Sequence, residues 1–287
     1  EAAARRIDLP GQIALMLGLF LLVYGLQNAD GNGWGSAETI AELGAGVAFL
    51  VAFVAIEARV RVPMLPLGLF RTPAFTGAQI GAFAISASFF AAYLYATLYL
   101  QGVLGLSAIE AGLVYLPGTV VMFVVSGASA QLGTRVPAWA MTGGGLILVG
   151  IGLLLMLDVT AGSSWTAMEP GLLLCSIGTG MFNPAVSTVA LSSAPADMSG
   201  LAAGVNDTAR QAGISVGVAA LGALVPSATV LRHSEAYVNG MHHAVIAAAI
   251  MALVGGVLCM RLIGRGARAR TGQDAGVTAA EPARIPA

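Results

Sequence analysis

Five polar side chains lie within one stretch that is otherwise apolar enough to cross a membrane. The stretch runs from 200 to 225, and the polar cluster within it consists of Asn206, Asp207, Thr208, Arg210 and Gln211. An ionised side chain at the centre of a membrane helix costs about 2.5 to 3.5 kcal/mol on insertion scales, so it normally faces protein or a water-filled cavity and has a partner. Polar side chains at this depth are therefore candidates for binding a substrate or carrying a proton.

The spacing of these residues supports two interpretations. Asp207 and Arg210 are three positions apart, so an ion pair within one helix would lower the cost of both charges. At 100° per residue, one helix face carries Asn206 and Arg210 together with two glycines, and the neighbouring face carries Asp207 and Gln211. In a structural interpretation, the pair and the glycines lock the helix against a neighbour. In a functional one, protonation of Asp207 frees Arg210 to change partner.

Acids and prolines at other helix positions are further candidates. Glu110 stands at the start of one apolar stretch and Glu169 at the start of another. Acids at helix N-termini suit the helix dipole, so a capping role and a role in proton access both remain open. Pro117 and Pro184 interrupt two apolar stretches, where a proline frees a carbonyl group and permits a kink. Such kinks occur in moving helices and also as fixed packing features.

An aromatic cluster occupies the third apolar stretch of the chain. Its members are Phe83, Phe89, Phe90, Tyr93, Tyr95 and Tyr99. Aromatic faces attract lipophilic cations, so the cluster is a candidate pocket for a drug-like molecule. Contact with lipid or with neighbouring helices is the alternative.

Motifs of soluble enzymes are absent from the sequence. It contains no P-loop, no dinucleotide-binding fingerprint, no HExxH motif and no convincing metal cluster. We therefore expect no catalytic residues, no cofactor and no metal, and ATP-driven transport by this chain alone is excluded. Cys175 and Cys259 lie in apolar stretches, where ordinary packing is expected. His242 and His243 are expected to be solvated at a membrane interface.

Composition places the chain in a lipid bilayer. Of its 287 residues, 57% are hydrophobic and only 9% are charged, with a mean hydropathy of +0.85, whereas soluble domains are about one-quarter charged. The net charge is −1, and the arginines are dispersed between apolar stretches, which argues against a nucleic-acid partner. The 38 glycines suit helices that pack closely within a membrane.

Apolar stretches long enough to cross a bilayer core of about 30 Å recur along the chain. Eight of them cover approximately 11–27, 37–57, 75–100, 108–131, 138–157, 169–191, 199–224 and 243–263. The sequence therefore predicts an all-α membrane protein with about eight transmembrane helices. The chain begins at Glu1 without an initiator Met, so we expect it to start inside a longer protein.

Arginines indicate the side of the membrane that each loop occupies. With eight spans, one side carries Arg5, Arg6, Arg59, Arg61, Arg71, Arg135, Arg261, Arg265, Arg268 and Arg270, whereas Arg232 alone lies opposite. Short positively charged loops are retained in the cytoplasm, so both termini are predicted to be cytoplasmic. Residues 265–287 are rich in Gly, Ala and Pro after their arginines and are predicted to form a disordered cytoplasmic tail.

Short phrases along the chain resemble one family of membrane transporters. They are Gly33-Trp34-Gly35-Ser36, Pro66-Leu67-Gly68-Leu69-Phe70-Arg71, Tyr99-Leu100-Gln101, Glu110-Ala111-Gly112, Leu116-Pro117 and Thr208-Ala209-Arg210-Gln211. In order and spacing they are similar to the fourteen-span drug:proton antiporters of the major facilitator superfamily, the EmrB/QacA type. The resemblance implies that 1–62 form a central helix pair and 63–264 a six-helix carboxy-terminal bundle. The amino-terminal six-helix bundle of the family is missing from this chain.

The resemblance also implies a function and its partners. Such a chain is the carboxy-terminal part of a proton-coupled exporter of lipophilic small molecules, working by alternating access in a bacterial plasma membrane. Asp207, Arg210, Asn206 and Gln211 are then the first candidates for substrate or proton coupling, and Glu110 is a further one. A solute-importing member of the superfamily and a non-transporting membrane scaffold or assembly partner are the alternatives.

Overall fold

The structure is a computed structural model that describes residues 8–60, 65–133, 135–225 and 234–279. The regular structure in these ranges consists of α-helices, short 3-10 helices and π segments, without a strand. This confirms the predicted all-α fold. The α-helices are α1 (Leu9–Asn32), α2 (Ala37–Glu57), α3 (Pro73–Ile85), α4 (Ala91–Leu98), α5 (Ala108–Val114), α6 (Leu116–Leu132), α7 (Ala138–Leu155), α8 (Glu169–Ser192), α9 (Ser199–Gly222) and α10 (Ser234–Ala279).

Six continuous helical segments within the described ranges are long and apolar enough to cross a membrane. They are α1, α2, the segment from α3 through α4, α7, α8 and α10, and the bent pair α5–α6 makes a seventh when it is counted as one span. The eighth predicted span is α9, whose 24 residues give a length of about 36 Å. Helix α9 is not among the candidate spans, because its polar residues lower its hydropathy, so the eighth span remains a prediction.

The helix starts explain why the chain breaks where it does. Asp8 caps α1 by accepting a hydrogen bond from the Gly11 amide at 3.1 Å, and Pro10 occupies the first turn. Ser36 caps α2 in the same way, accepting from the Thr39 amide at 3.1 Å. Side-chain oxygens at these positions satisfy amides that have no partner within the helix. Residues 33–36 alone connect the first two spans, which pack against each other as a hairpin.

The third span is one continuous helix with two π segments. Ser86–Phe90 separates α3 from α4, and Tyr99–Val103 follows α4. A π segment inserts a residue into a helical turn, which shifts the side chains that follow it around the helix axis, and such segments are frequent at functional sites. The first of them contains two consecutive phenylalanines, so it decides where those rings point.

Glycines allow the helices of the bundle to approach closely. Helix α8 packs between α6 and α7, α10 packs on α7 and α3, and α3 packs on α9. At the α7–α8 crossing, a Cβ atom built on Gly145 would lie 2.5 Å from the carbonyl oxygen of Gly178, so only glycine fits there. The α1–α2 hairpin contacts the bundle mainly through α9. Helix α9 therefore lies between the hairpin and the bundle.

The last helix differs from the predicted one. It begins at Ser234 and continues to Ala279, beyond the predicted start of a disordered tail at 265. The physical reason is that Ala and Arg favour helix and that extending an existing helix needs no new nucleus. Residues 280–287 of the predicted tail, and Arg5, Arg6, Arg61 and Arg232 of the topology prediction, lie outside the described residues.

Candidate functional site on helix α9

Helix α9 is held against the third span by two glycines. A Cβ atom on Gly213 would lie 2.5 Å from the carbonyl oxygen of Phe83, and one on Gly217 would overlap the carbonyl oxygen of Ala87. Both glycines are buried, and Ala87 belongs to the first π segment. The face that the sequence assigned to these glycines is therefore the face that packs against a neighbouring helix.

Asn206 lies on this packed face and has a partner on α3. Its side chain is only 6% exposed, and its Nδ2 donates a hydrogen bond to Oε1 of Gln79 at 3.2 Å. Gln79 is equally buried, and its own Nε2 has no acceptor among the described residues. A buried amide without a partner costs roughly 1 to 3 kcal/mol. The sequence analysis did not select Gln79, although an amide side chain in an apolar helix is a signal of this kind.

Arg210 is one turn further along α9 and turns toward α8. Its Nη1 donates a hydrogen bond to Oδ1 of Asn183 at 3.1 Å. Asn183 is the residue directly before Pro184. No ion pair joins Arg210 to Asp207 in the structure, where both residues are described. The predicted pairing within the helix is therefore replaced by a bond between helices, because the Arg210 side chain is on the packed face and Asp207 is on the neighbouring one.

Asp207 and Gln211 form a separate, exposed polar face of α9. Both side chains are exposed, as is Gly204 one turn before Asp207. Asp207 lies eight residues after the start of α9, which at 1.5 Å per residue is about 12 Å along the helix. In a helix of this length that crosses a hydrocarbon core of about 30 Å, that position falls within the core. A carboxylate at that depth is costly against lipid. This face therefore requires protein or water opposite it.

Four of the polar residues of α9 thus divide into two groups. Asn206 and Arg210 bond inside the bundle, and Asp207 and Gln211 face outward beside them. We call this arrangement the α9 polar site, consisting of these four residues with Gln79 and Asn183 as the partners of the inner pair. It places hydrogen-bonding groups from three helices next to one exposed carboxylate.

Glu110 lies in a helix cap away from the α9 polar site. The Ser107 amide and hydroxyl each donate to Glu110 Oε2 at 2.8 Å, and the Glu110 amide donates to Ser107 Oγ at 3.3 Å. This reciprocal pattern is a capping box, which satisfies two amides at the start of α5. The contacts of Glu110 therefore support the capping interpretation. Glu169 similarly occupies the first turn of α8.

The two candidate kink prolines behave differently. Helix α5 ends and α6 begins around Tyr115, with a bend of 41°, and Pro117 lies in the first turn of α6. Pro184 is inside α8, which continues through it from Glu169 to Ser192. Pro117 is therefore at a break between helices, whereas Pro184 is accommodated within one.

The aromatic cluster of the third span divides between packing and a cavity. Tyr95 donates to the Val218 carbonyl of α9, and Tyr99 donates to the Thr160 carbonyl at 2.8 Å. Phe83 is 37% exposed on the outside of α3. The other three rings, Phe89, Phe90 and Tyr93, line a cavity of about 180 Å³ with residues of α6 and α8. Both interpretations of the cluster therefore apply, each to part of it.

The remaining reactive side chains have ordinary surroundings. Cys175 and Cys259 are buried as free thiols. A ring nitrogen of His242, Nε2, lies 2.8 Å from the Val159 carbonyl oxygen. Within the described residues, no group of three or more His, Cys, Asp or Glu side chains is arranged to hold a metal ion.

Comparison with known proteins identifies relatives over most of the chain. The family model described as Major Facilitator Superfamily matches residues 9–218. The tetracenomycin C resistance and export protein of Streptomyces glaucescens is 31% identical over 79% of this chain and 42% of its own length. The multidrug resistance protein Stp of Mycobacterium tuberculosis is 34% identical over 81% of this chain and 44% of its own length.

A third relative matches still more of the chain. The methylenomycin A resistance protein of Streptomyces coelicolor is 27% identical over 92% of this chain and 54% of its own length. The chain therefore spans about half the length of the curated relatives it matches. Because the family model covers most of an all-helical, multi-pass membrane chain, the protein belongs to the Major Facilitator Superfamily, a family of transporters rather than enzymes.

Proposed function

We propose that this chain is the carboxy-terminal part of a proton-coupled exporter of drugs or other lipophilic small molecules. The observation that carries the proposal is the exposed carboxylate of Asp207, deep along α9 and adjacent to the bonded residues Asn206 and Arg210. Three relatives whose names record drug resistance or export support the direction of transport. We place the protein in a bacterial plasma membrane with both termini in the cytoplasm.

The position of Asp207 supports the proposal of proton coupling. An ionised carboxylate in the membrane needs water or a partner, whereas a protonated one can face an apolar surface at a much lower cost. Gain of a proton therefore favours a state in which the exposed face of α9 is covered, and loss of the proton favours a state in which it meets water. Binding of a proton thereby becomes linked to a change in accessibility, as alternating access requires.

Arg210 contributes a second part of this mechanism. Among the described residues its guanidinium bonds one amide oxygen, that of Asn183, which leaves donors for another acceptor. Deprotonation of Asp207 creates a carboxylate one turn away that competes for those donors. We propose that Arg210 exchanges between Asn183 and Asp207 as the proton leaves and returns. Asn206, fixed by Gln79, holds α9 in register during the exchange.

The partner that we propose for the exposed face is the missing amino-terminal six-helix bundle. The chain spans about half of its relatives, and the uncovered polar face of α9 is the face that a second bundle would meet across an aqueous cavity. The helix pair α1–α2 and the bundle α3–α10 remain our proposed division of the chain, at about residue 62. Protons and a lipophilic substrate are the proposed small-molecule partners.

The experiment that tests the proposal is ethidium efflux from cells that express the encoding gene. The Asp207→Asn and Arg210→Ala variants are compared with wild type at matched membrane expression, with and without a protonophore. The control variants are Asp158→Asn and Arg135→Ala, which make the same chemical changes at exposed sites outside α9.

We expect wild type and both controls to expel ethidium until the proton gradient is collapsed, and both α9 variants to lose most of that efflux. Unchanged efflux in the α9 variants contradicts the coupling role and leaves the α9 polar site a packing feature. Absence of efflux in wild type favours a non-transporting scaffold. Gradient-driven accumulation of the dye in place of efflux favours an importer.

A further inference from the structure

A second site lies on the side of the bundle formed by the third span, α6 and α8. It is the cavity of about 180 Å³ introduced above, and we call it the aromatic cavity. Its lining comprises Phe89, Phe90, Tyr93, Tyr115, Gly118, Thr119, Met122, Leu172 and Ser176. None of these residues belongs to α9, so the aromatic cavity is separate from the α9 polar site.

Aromatic rings make up one wall of the aromatic cavity in a fixed arrangement. Phe89 meets Phe90 edge to face with ring centroids 5.5 Å apart, and Phe89 meets Tyr93 in the same way at 6.2 Å. Tyr93 and Tyr115 are stacked, with centroids 4.0 Å apart and an angle of 28° between the rings. The two edge-to-face contacts are within the range of about 4.5 to 7 Å in which aromatic pairs attract one another, and the stacked pair is closer still. The cavity therefore has pre-arranged ring surfaces for another flat ring.

The first π segment of the third span presents the two phenylalanines to this cavity. A π turn holds more residues than an α turn, so consecutive side chains diverge less around the helix axis. Phe89 and Phe90 are consecutive, and both line the cavity together with Tyr93 of α4. In a regular α-helix neighbouring residues are about 100° apart, which separates their side chains further. The irregular segment thus concentrates aromatic surface at one place.

Hydrogen bonds outside the cavity fix the orientation of Tyr115. Thr97 Oγ1 donates to the Tyr93 carbonyl at 2.8 Å, which uses its only proton. The Tyr115 hydroxyl, 3.0 Å from Thr97 Oγ1, must therefore be the donor to it. Tyr115 is held in this way at the bend between α5 and α6. Its ring cannot turn away without losing the bond.

The lining of the aromatic cavity carries no ionised side chain. Its polar groups are hydroxyls, such as those of Thr119 and Ser176, among aromatic and aliphatic carbons. A site of this kind selects by shape and stacking, because no charge fixes the ligand. We infer that the aromatic cavity binds a flat aromatic ring of the exported molecule, which rests on the proposed export function. An apolar cavity of roughly 150 Å³ accepts one benzene ring, so this cavity accepts one or two fused rings.

The test compares two probes that share a carbon skeleton and a charge, one with flat aromatic rings and one with puckered saturated rings. One is a naphthylmethyl trimethylammonium ion, and the other is its saturated decahydronaphthyl analogue. Binding of each to the purified gene product in lipid nanodiscs is measured by calorimetry, with empty nanodiscs subtracted. The variants are Phe90→Leu and Tyr93→Leu, with Phe83→Leu as the matched control because Phe83 lies on the same span outside the cavity.

We expect wild type and the Phe83 control to bind the aromatic probe about 2- to 12-fold more tightly than the saturated one, the range for an aromatic pair. Both cavity variants should lose that preference. Equal binding of the two probes to wild type overturns the inference without any variant. A preference that persists in both cavity variants also overturns it.

The binding measurement, taken together with the ethidium efflux assay, separates the inference from the proposed function. An aromatic preference in a protein that expels no ethidium leaves the cavity established and refutes the export function. Gradient-dependent efflux that Asp207→Asn abolishes, in a protein without the preference, refutes the cavity and leaves the export function standing.

Discussion

The hydrogen bond between Asn206 and Gln79 gives the most quantitative prediction. Asn206→Leu removes the donor to Gln79 Oε1. Both polar atoms of the buried Gln79 side chain are then unpaired among the described residues, because Nε2 already lacks an acceptor there. We expect this variant to lower the free energy of unfolding by about 1 to 3 kcal/mol, the cost of an unsatisfied buried polar group. Replacing both residues with Leu removes that cost, so the double variant should be more stable than the sum of the single effects predicts.

The coupling energy of this pair can be measured by a double-mutant cycle. The four proteins are wild type, Asn206→Leu, Gln79→Leu and the double variant. Each is unfolded in mixed micelles of SDS and a mild detergent. Hydrogen bonds between membrane helices contribute about 0.6 kcal/mol on average and up to about 1.7 kcal/mol, and we expect a coupling energy in that range. Thr208→Val is the control partner for Gln79→Leu, because Thr208 bonds to Gly204 of its own helix at 2.8 Å. A cycle that is additive within about 0.3 kcal/mol, like the control, refutes the pairing.

Two further substitutions, and a control for the first, test the helix packing and the cap of α5. Gly217→Ala places a Cβ atom against the Ala87 carbonyl and should destabilise the protein by about 1 to 3 kcal/mol in the same unfolding assay. Gly112→Ala, where a Cβ atom meets nothing within 4 Å, should have no destabilising effect, and equal losses at both sites would contradict this account. Ser107→Ala breaks the capping box with Glu110 and should cost about 0.5 to 2 kcal/mol while ethidium efflux is retained. Efflux lost at full expression would show instead that this cap takes part in transport.

The sequence predicted the helical architecture because hydropathy and length report directly on burial in lipid. Seven of the eight predicted spans correspond to apolar helices or to the bent pair, and the eighth is the polar helix α9. The positions of Gly213 and Gly217 on one face followed from helix periodicity alone. Periodicity shows which residues share a face of a helix. It does not show which other helix packs against that face.

The partners of the polar residues were beyond the sequence for the same reason. Gln79 lies 127 positions from Asn206, and Asn183 lies 27 positions from Arg210. Local spacing favoured an ion pair between Arg210 and Asp207, but the side chain of Arg210 turns to a different helix. The aromatic cavity depends on a π segment, a departure from regular helix that composition does not reveal. Contacts between helices are thus the part of the site that required the structure.

The central claim is that Asp207 couples proton movement to export. The most direct test is proton release into the medium from proteoliposomes that hold the purified gene product, detected with a pH-sensitive dye after ethidium is added. We predict that wild type and Asp158→Asn couple ethidium movement to an opposite proton flux, and that Asp207→Asn shows no such flux although it still binds ethidium. An undiminished proton flux in Asp207→Asn would contradict the account.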